Sequence, residues 1–318
     1  MILCGDIGAT KSLLGLAERH GDSFRIGFVQ RYENRDWPSF ARLIDDFLAA
    51  AGAATDRVVR LDMAGFGVAG PVGPDGVRMT NRDWQISDDA LRTLLGGAPV
   101  CLLNDFEASA CGIGDLPPDG LLTLQRGETA ALAPQLVIGA GSGLGVAFRL
   151  PGPDGARVVA GEGGHVGFAP RNARQAGLWL YLHERFGRVS AEHVVSGPGL
   201  VRIHDWLCDE VESAADRGED VWARALAGDA RAGEALATFV DAYGAVAGDH
   251  ALSVLARGGV YLTGGIAPRL LPAAAASFLS AFRDKGPHSE LAAGFPVHLV
   301  TDEHLPLLGA ARAAWQHA

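Results

Sequence analysis

The chain writes the same short passage twice: an apolar run, a turn of glycines and small polar residues, then a second apolar run. The first copy is Leu3-Cys4-Gly5-Asp6-Ile7-Gly8-Ala9-Thr10-Lys11, continued by Leu13 to Ala17. The second is Leu136-Val137-Ile138-Gly139-Ala140-Gly141-Ser142-Gly143-Leu144-Gly145, continued by Val146 to Leu150. Short apolar runs bounded by glycine read as strands, and glycine permits the tight turn between them. Backbone N–H groups in such a turn can approach phosphate oxygens, and Thr10 and Lys11 can donate further hydrogen bonds. Glycine-rich hairpins also serve as plain connections, so either copy alone leaves both readings open. The second copy lacks the Walker spacing, and Val146-Ala147-Phe148-Arg149 continues as a strand rather than the helix a dinucleotide fingerprint requires.

Around these turns the pattern is α/β. Further strands are expected at Phe24 to Val29, Leu61 to Val68, Val100 to Leu103, Val260 to Thr263 and Val297 to Val300. Helical periods run over Trp37 to Ala51, Asp105 to Ile113, Ala173 to Phe186, Gly199 to Cys208, Arg231 to Leu255 and Leu305 to Gln316. The alanine cluster Ala273 to Ala276 reads as a helix surface, and no repeat of 20 to 50 residues is visible. A third small-residue segment, Thr263-Gly264-Gly265-Ile266-Ala267-Pro268, ends a strand and opens a helix, with Pro268 suited to its first turn. Its glycines would let a flat ring lie against backbone. Three such segments suggest phosphates and a nucleoside held between two lobes.

Asn104 and Asp105 follow an apolar strand directly, where a carboxylate is held at the carboxyl end of a sheet. The alternative is that one of them simply caps the next helix. Glu162 and His165 stand three residues apart, but Gly163 and Gly164 between them argue against a helical metal motif. A loop offering hydrogen bonds to a polyhydroxylated ligand fits better, with a purely structural histidine as the other reading. Glu192 lies near the start of a short helix, ahead of Gly197-Pro198-Gly199, where it would favour the helix dipole.

With 318 residues, 48% of them hydrophobic, the chain is long enough for two domains. A net charge of −10 argues against nucleic acid and anionic membrane surfaces as partners. No segment reads as a signal peptide or membrane span, so a soluble, cytoplasmic protein is expected. Cys4, Cys101, Cys111 and Cys208 have no C-x-x-C spacing and are expected as reduced, packed thiols.

Together these segments resemble the bacterial glucokinase family, within the hexokinase, actin and Hsp70 superfamily. The resemblance is carried by Leu103 to Phe106, Gly139 to Gly145, Gly161 to Pro170, Val189 to Leu200 and Leu262 to Pro268. Met79-Thr80-Asn81-Arg82-Asp83-Trp84 and Asp284-Lys285-Gly286 extend it over nearly the whole chain. It implies a two-lobed actin-like ATPase (ribonuclease H-like) α/β fold with an active-site cleft between a small and a large domain. Residues 1–108 with 302–318 would form the small domain and 109–301 the large one. It also implies a homodimer. Asn104, Asp105, Glu162, His165 and Glu192 would contact the sugar. The turn Asp6, Gly8, Ala9, Thr10 and Lys11 and the turn Gly139, Gly141, Ser142 and Gly143 would embrace the phosphates, with Gly264 and Gly265 facing the adenosine. The first turn departs from relatives, which commonly read D-x-G-G-T-N with an Arg two residues on; here Ala9, Lys11 and Leu13 stand in those places, and Gly167 stands where many relatives have Asp. A Cys-rich zinc motif near His165 and an N-terminal DNA-binding extension, features of the related ROK family, are both missing from the sequence.

The expected activity is ATP-dependent phosphorylation of glucose at its 6-hydroxyl. A sugar hydroxyl is a poor nucleophile, so a carboxylate must accept its proton, and Asp105 takes that role. Mg²⁺ would bridge the ATP oxygens, held through water by Asp6. The rival readings are a kinase for mannose, fructose or an amino sugar, and a sugar-sensing regulator without efficient transfer. Polyphosphate as donor would need the same kind of cationic and backbone groups.

Overall fold

The structure is a computed structural model and describes residues 1–55, 58–70, 72–73, 76–79, 84–153, 155–208 and 217–317. It divides into two compact units, Met1–Gly120 with Asp302–Ala318, and Leu121–Thr301.

Unit 1 opens with β1 (Ile2–Ile7), β2 (Lys11–His20), β3 (Ser23–Glu33), α1 (Phe40–Thr55) and β4 (Met63–Val68). The short strands β5 (Val77–Arg78) and β6 (Gln85–Ile86) pair with one another, and α2 (Asp88–Leu94), β7 (Val100–Asn104) and α3 (Asp105–Gly112) follow. The main sheet has the order β3-β2-β1-β4-β7, with β1, β4 and β7 parallel and the β1–β2–β3 meander antiparallel. Every residue of β4 is buried, which its unbroken small and apolar run requires of a strand covered on both faces. Phe40, Leu43, Ile44 and Phe47 recur at helical spacing on α1 and are buried, and the Phe40 ring meets Phe66 of β4 edge-on at 5.5 Å. Of the motif Met79 to Trp84, Met79 and Trp84 are buried in this core, while residues 80–83 lie outside the described residues.

Unit 2 comprises β8 (Leu121–Gln125), β9 (Gln135–Ala140), β10 (Leu144–Gly152), β11 (Gly155–Gly161), α4 (Ala173–Phe186), α5 (Ala191–Val194) and α6 (Gly197–Cys208). It continues with α7 (Gly218–Leu226), α8 (Ala230–Val254), β12 (Gly259–Thr263), α9 (Ala267–Arg283), α10 (Ser289–Ala293) and β13 (Val297–Val300). The sheet order is β11-β10-β9-β12-β13-β8, again an antiparallel meander (β9–β10–β11) beside parallel strands (β9, β12, β13). The first five strands of each order thus share one topology, to which the second sheet adds the antiparallel edge strand β8. Helix α8 carries Phe239 and Tyr243 into the core. Its Gly244 and Gly248 bring the α9 backbone close, since a Cβ at either would strike the carbonyl of Phe278 or Phe282. Lys285, after α9, ties back to α8 by donating to the Ala245 carbonyl at 2.8 Å and pairing with Asp249 at 2.7 Å.

The last helix, α11 (Leu305–Gln316), returns to unit 1 and buries Leu307, Leu308, Ala310, Ala311 and Ala314 against Ile2, Cys4, Ala17 and Met63. Within unit 1, α3 packs along α11 through Gly309 and Gly112. The four cysteines are free, and burial pushes the Cys4 thiol well above its ordinary range and Cys101 up to about 11. No helix among the described residues is long and apolar enough to cross a membrane.

Candidate active site

In unit 1 the parallel strands β1, β4 and β7 end along one edge. The registers Asp6↔Gly67 and Gly67↔Leu103 set Asp6 and Leu103 in one row, and Asp105 begins α3 two residues further on. A Cβ on Gly67 would lie 2.8 Å from the Ala108 Cβ and 3.4 Å from the Asp105 Cα, so the missing side chain is what lets α3 start directly over the sheet. Asn104 is the N-cap: its Oδ1 accepts from the Phe106 N–H at 2.9 Å, and its Nδ2 donates to the Gly70 carbonyl at 3.3 Å. The capping reading therefore belongs to Asn104. Asp105 is left as the first residue of the helix, where orphan amides favour a carboxylate; its Oδ1 accepts from the same Phe106 N–H at 2.9 Å.

Asp6 is the perturbed acid of this unit. Burial, and then the negative charge of Asp105, push its carboxyl up to about 6, against the opposing charge of Arg31. Arg31 gives no signal in a linear reading of the chain. The registers Asp6↔Leu13 and Leu13↔Arg31 place it across β2 from Asp6, beyond Leu13.

The turn after β1 is held from outside by a second residue invisible to motif reading. Asn34 is fully buried; its Nδ2 donates to the Gly8 carbonyl at 2.8 Å and its Oδ1 accepts from the Ser12 hydroxyl at 2.7 Å. Its N–H donates to the Thr10 carbonyl at 2.8 Å, and Gly8 N–H closes the turn on the Lys11 carbonyl at 2.9 Å. Ala9 is half-buried and Thr10 exposed within this frame, while Lys11 forms an exposed pair with Glu33 at 3.1 Å.

In unit 2 the two other glycine segments come together because β9 and β12 are parallel neighbours, with Gly139 opposite Thr263. A Cβ on Gly139 would sit 2.5 Å from the Thr263 Oγ1. Gly264 has φ +82°, a conformation glycine adopts without strain, and a Cβ there would lie 2.5 Å from the Ala140 carbonyl oxygen. Ile266 N–H donates to that carbonyl at 3.2 Å, and Gly141 N–H to the Gly143 carbonyl at 2.8 Å. Around Gly141 and Gly265 a Cβ would meet nothing within 4 Å, and Ser142 is exposed. The result is an open backbone cradle beside the N-terminus of α9, a shape suited to phosphates and a flat ring.

The sugar-facing candidates of unit 2 gather beside this cradle. Gly163 and Gly164 lie so close to Val146 and the Leu144 carbonyl that side chains there would collide, which fixes the Glu162–His165 turn on the start of β10. This turn is a 3-10 turn over Gly163–His165, with the exposed Glu162 and His165 side chains 3.9 Å apart. Backbone bonds from Phe168 to Val189 (3.0 Å) and from Ala191 to Val166 (2.9 Å) lay the following strand-like segment against the entry to α5, which carries Glu192. Glu192 Oε2 accepts from the Leu144 N–H at 2.8 Å. His193, not singled out from sequence, locks α5: its Nδ1 accepts from the Ser190 N–H at 3.1 Å while the Ser190 hydroxyl accepts from the His193 N–H at 3.4 Å. Burial and then Arg202 hold this imidazole below its usual range, against Glu192, so it remains the neutral acceptor the cap needs.

Among the described residues no group of three or more His, Cys, Asp or Glu side chains is arranged to hold a metal. Mg²⁺ keeps several of its waters and needs only one or two carboxylates beside substrate phosphates, so the residue here that would hold it is the buried Asp6.

The family model described as Glucokinase matches residues 3–317. The glucokinase of Chromobacterium violaceum is 40% identical over 99% of this chain and 89% of its own length, and that of Ralstonia nicotianae is 39% identical over 99% and 95%. Among solved structures, a glucokinase from an Antarctic psychrotroph superposes with a TM-score of 0.88 at 26% identity, covering 99% of this chain and 98% of that one. A ROK family glucokinase from Streptomyces griseus, solved with glucose and AMPPNP, shares the fold at a TM-score of 0.65 and 21% identity, covering 99% of each chain. The strand-turn-strand unit written twice in the sequence thus sits in a two-domain α/β fold of the hexokinase type, and the chain belongs to the glucokinase family.

Proposed function

We propose that this chain transfers the γ-phosphoryl group of ATP to the 6-hydroxyl of glucose, giving glucose 6-phosphate and ADP, with Asp105 as general base. The observation that carries the reading is how Asp105 is held. Asn104 caps its helix, Gly67 lets that helix sit on the sheet, and Asp105 itself is left with the orientation of a first-turn carboxylate. A carboxylate so fixed can accept the hydroxyl proton as the bond to phosphorus forms, and alignment and electrostatics do the rest.

Asn104, Glu162, His165 and Glu192 supply donors and acceptors for the remaining sugar hydroxyls. The turn Asp6–Lys11 and the cradle of Gly139–Gly143 with Gly264 and Gly265 take the nucleotide. Mg²⁺, when bound, neutralises charge on the ATP phosphates, and Asp6 holds it through water. The reading includes two lobes, 1–108 with 302–318 and 109–301, a homodimer, and a cytoplasmic setting.

The test is coupled detection of hexose 6-phosphate across glucose, mannose, fructose and amino sugars, with ATP and with polyphosphate. Glucose with Mg·ATP should give the highest kcat/KM. A larger value with another hexose would reassign the substrate, and no product with any sugar would leave the sugar-sensing regulator as the better reading.

A further inference from the structure

Glu192 does more than face a ligand. Its Oε2 lies 2.8 Å from the Leu144 amide nitrogen, at the exit of the Gly141–Gly145 turn. A Cβ on Gly143 would come within 2.5 Å of the same oxygen, so the turn has glycine where it wraps the carboxylate. Three residues beyond α5, the Gly197 N–H donates to the Gly141 carbonyl at 2.8 Å, which grips the other side of the same turn. The segment between these two grips is itself rigid. The Ser196 hydroxyl donates to the Glu192 carbonyl at 2.8 Å and accepts from the Gly199 N–H at 3.0 Å, while His193 and Ser190 close the box at the head of α5. Glu192 Oε1 has no hydrogen-bond partner among the described residues.

We infer that Glu192 is a strut shared by two ligands: Oε2 stays on the Leu144 amide and sets the glycine turn for the nucleotide, while Oε1 takes a sugar hydroxyl. This rests on the proposed sugar-kinase reading and deepens it. A sugar that immobilises the carboxylate stiffens the turn, and a nucleotide that immobilises the turn fixes the carboxylate. The two affinities must then rise by one common factor, whichever ligand binds first.

The distinguishing experiment is done without sugar. Calorimetric titration of the full chain with Mg·AMPPNP should show Glu192→Ala binding roughly ten-fold more weakly than wild type, the equivalent of one hydrogen bond to a charged group. Glu192→Gln, whose amide oxygen can still accept from Leu144, should stay within about two-fold of wild type in the same titration. If Glu192→Ala fails to fold, Gly143→Ala, whose new methyl displaces Oε2, should give the same weakening. Unchanged sugar-free nucleotide affinity in both Glu192→Ala and Gly143→Ala would reduce Glu192 to a sugar contact and overturn the strut. The sugar screen fails or succeeds independently: wild type that binds AMPPNP but phosphorylates nothing refutes the kinase reading, while the sugar-free titration still decides the strut.

Discussion

Asp105 lies near enough to Asp6 for its negative charge to tighten the hold of Asp6 on its proton, and burial acts in the same direction. The folded chain therefore binds this proton more strongly than the unfolded chain does. Stability from this group is complete below about pH 4 and is lost as pH rises through about 6, at a cost of about 3 kcal/mol at most. Asp6→Asn removes that cost. In protein free of nucleotide and divalent cations, the variant should match wild type near pH 4 and exceed it above pH 7, with the difference opening between those limits. Urea midpoints across pH measure it, and a constant offset at all pH values would refute the assignment. The same variant should be catalytically poor, a stability gained by giving up the cation's partner.

Asp105→Asn keeps the size of the side chain and an oxygen for the Phe106 N–H, but removes the base. The expected result is a fall in kcat of about 10³-fold with glucose affinity changed only a few-fold. Steady-state rates beside calorimetric glucose binding check it; retained turnover would move the base elsewhere.

Asn34 ties three points of the first turn, the Gly8 and Thr10 carbonyls and the Ser12 hydroxyl. Asn34→Ala leaves the Gly8 carbonyl and the Ser12 hydroxyl without their buried partner, a loss of about 1–3 kcal/mol in stability. If the turn takes the nucleotide as proposed, KM for ATP should rise by more than KM for glucose. Equal changes in both would mean that Asn34 serves only the core.

Gly309 lets α11 approach α3 closely, since a Cβ there would overlap the Ala108 carbonyl oxygen. Gly309→Ala must push α3 away from α11 and should cost about 3 kcal/mol, with kcat falling because Asp105 rides on α3. Chemical denaturation and the coupled assay read the two effects. An unperturbed denaturation midpoint would show that the helices have slack.

Much of this fold is legible in the chain because its parallel strands are covered on both faces, so Ile2 to Cys4, Leu61 to Val68, Leu136 to Ile138 and Val260 to Thr263 read as plain apolar runs. The strands that escaped are the two-residue pair β5 and β6, and the edge strands β8 and β11. The residues of β11, Gly-Ala-Arg-Val-Val-Ala-Gly, form an edge strand with mostly exposed positions, where no buried face imposes alternation. At the candidate site, Asp105, Glu162, His165 and the glycine turns draw notice as polar and small residues next to strand ends, and the family resemblance alone attaches ligands to them. Arg31, Asn34 and His193 do not. Each acts on a partner through a sheet register or a cap, and an arginine on a strand or an asparagine before a turn carries no local mark of what lies opposite.

One feature of connectivity bears on how the protein is made. The sheet of unit 1 is written first, but its Ile2, Cys4 and Met63 find their cover only in α11, which follows the whole of unit 2. During synthesis, unit 2 can condense while the earlier sheet still waits with that face bare. The waiting half, which holds Asp6 and Asp105, is the part of a nascent chain on which a chaperone would have reason to linger until the last helix docks.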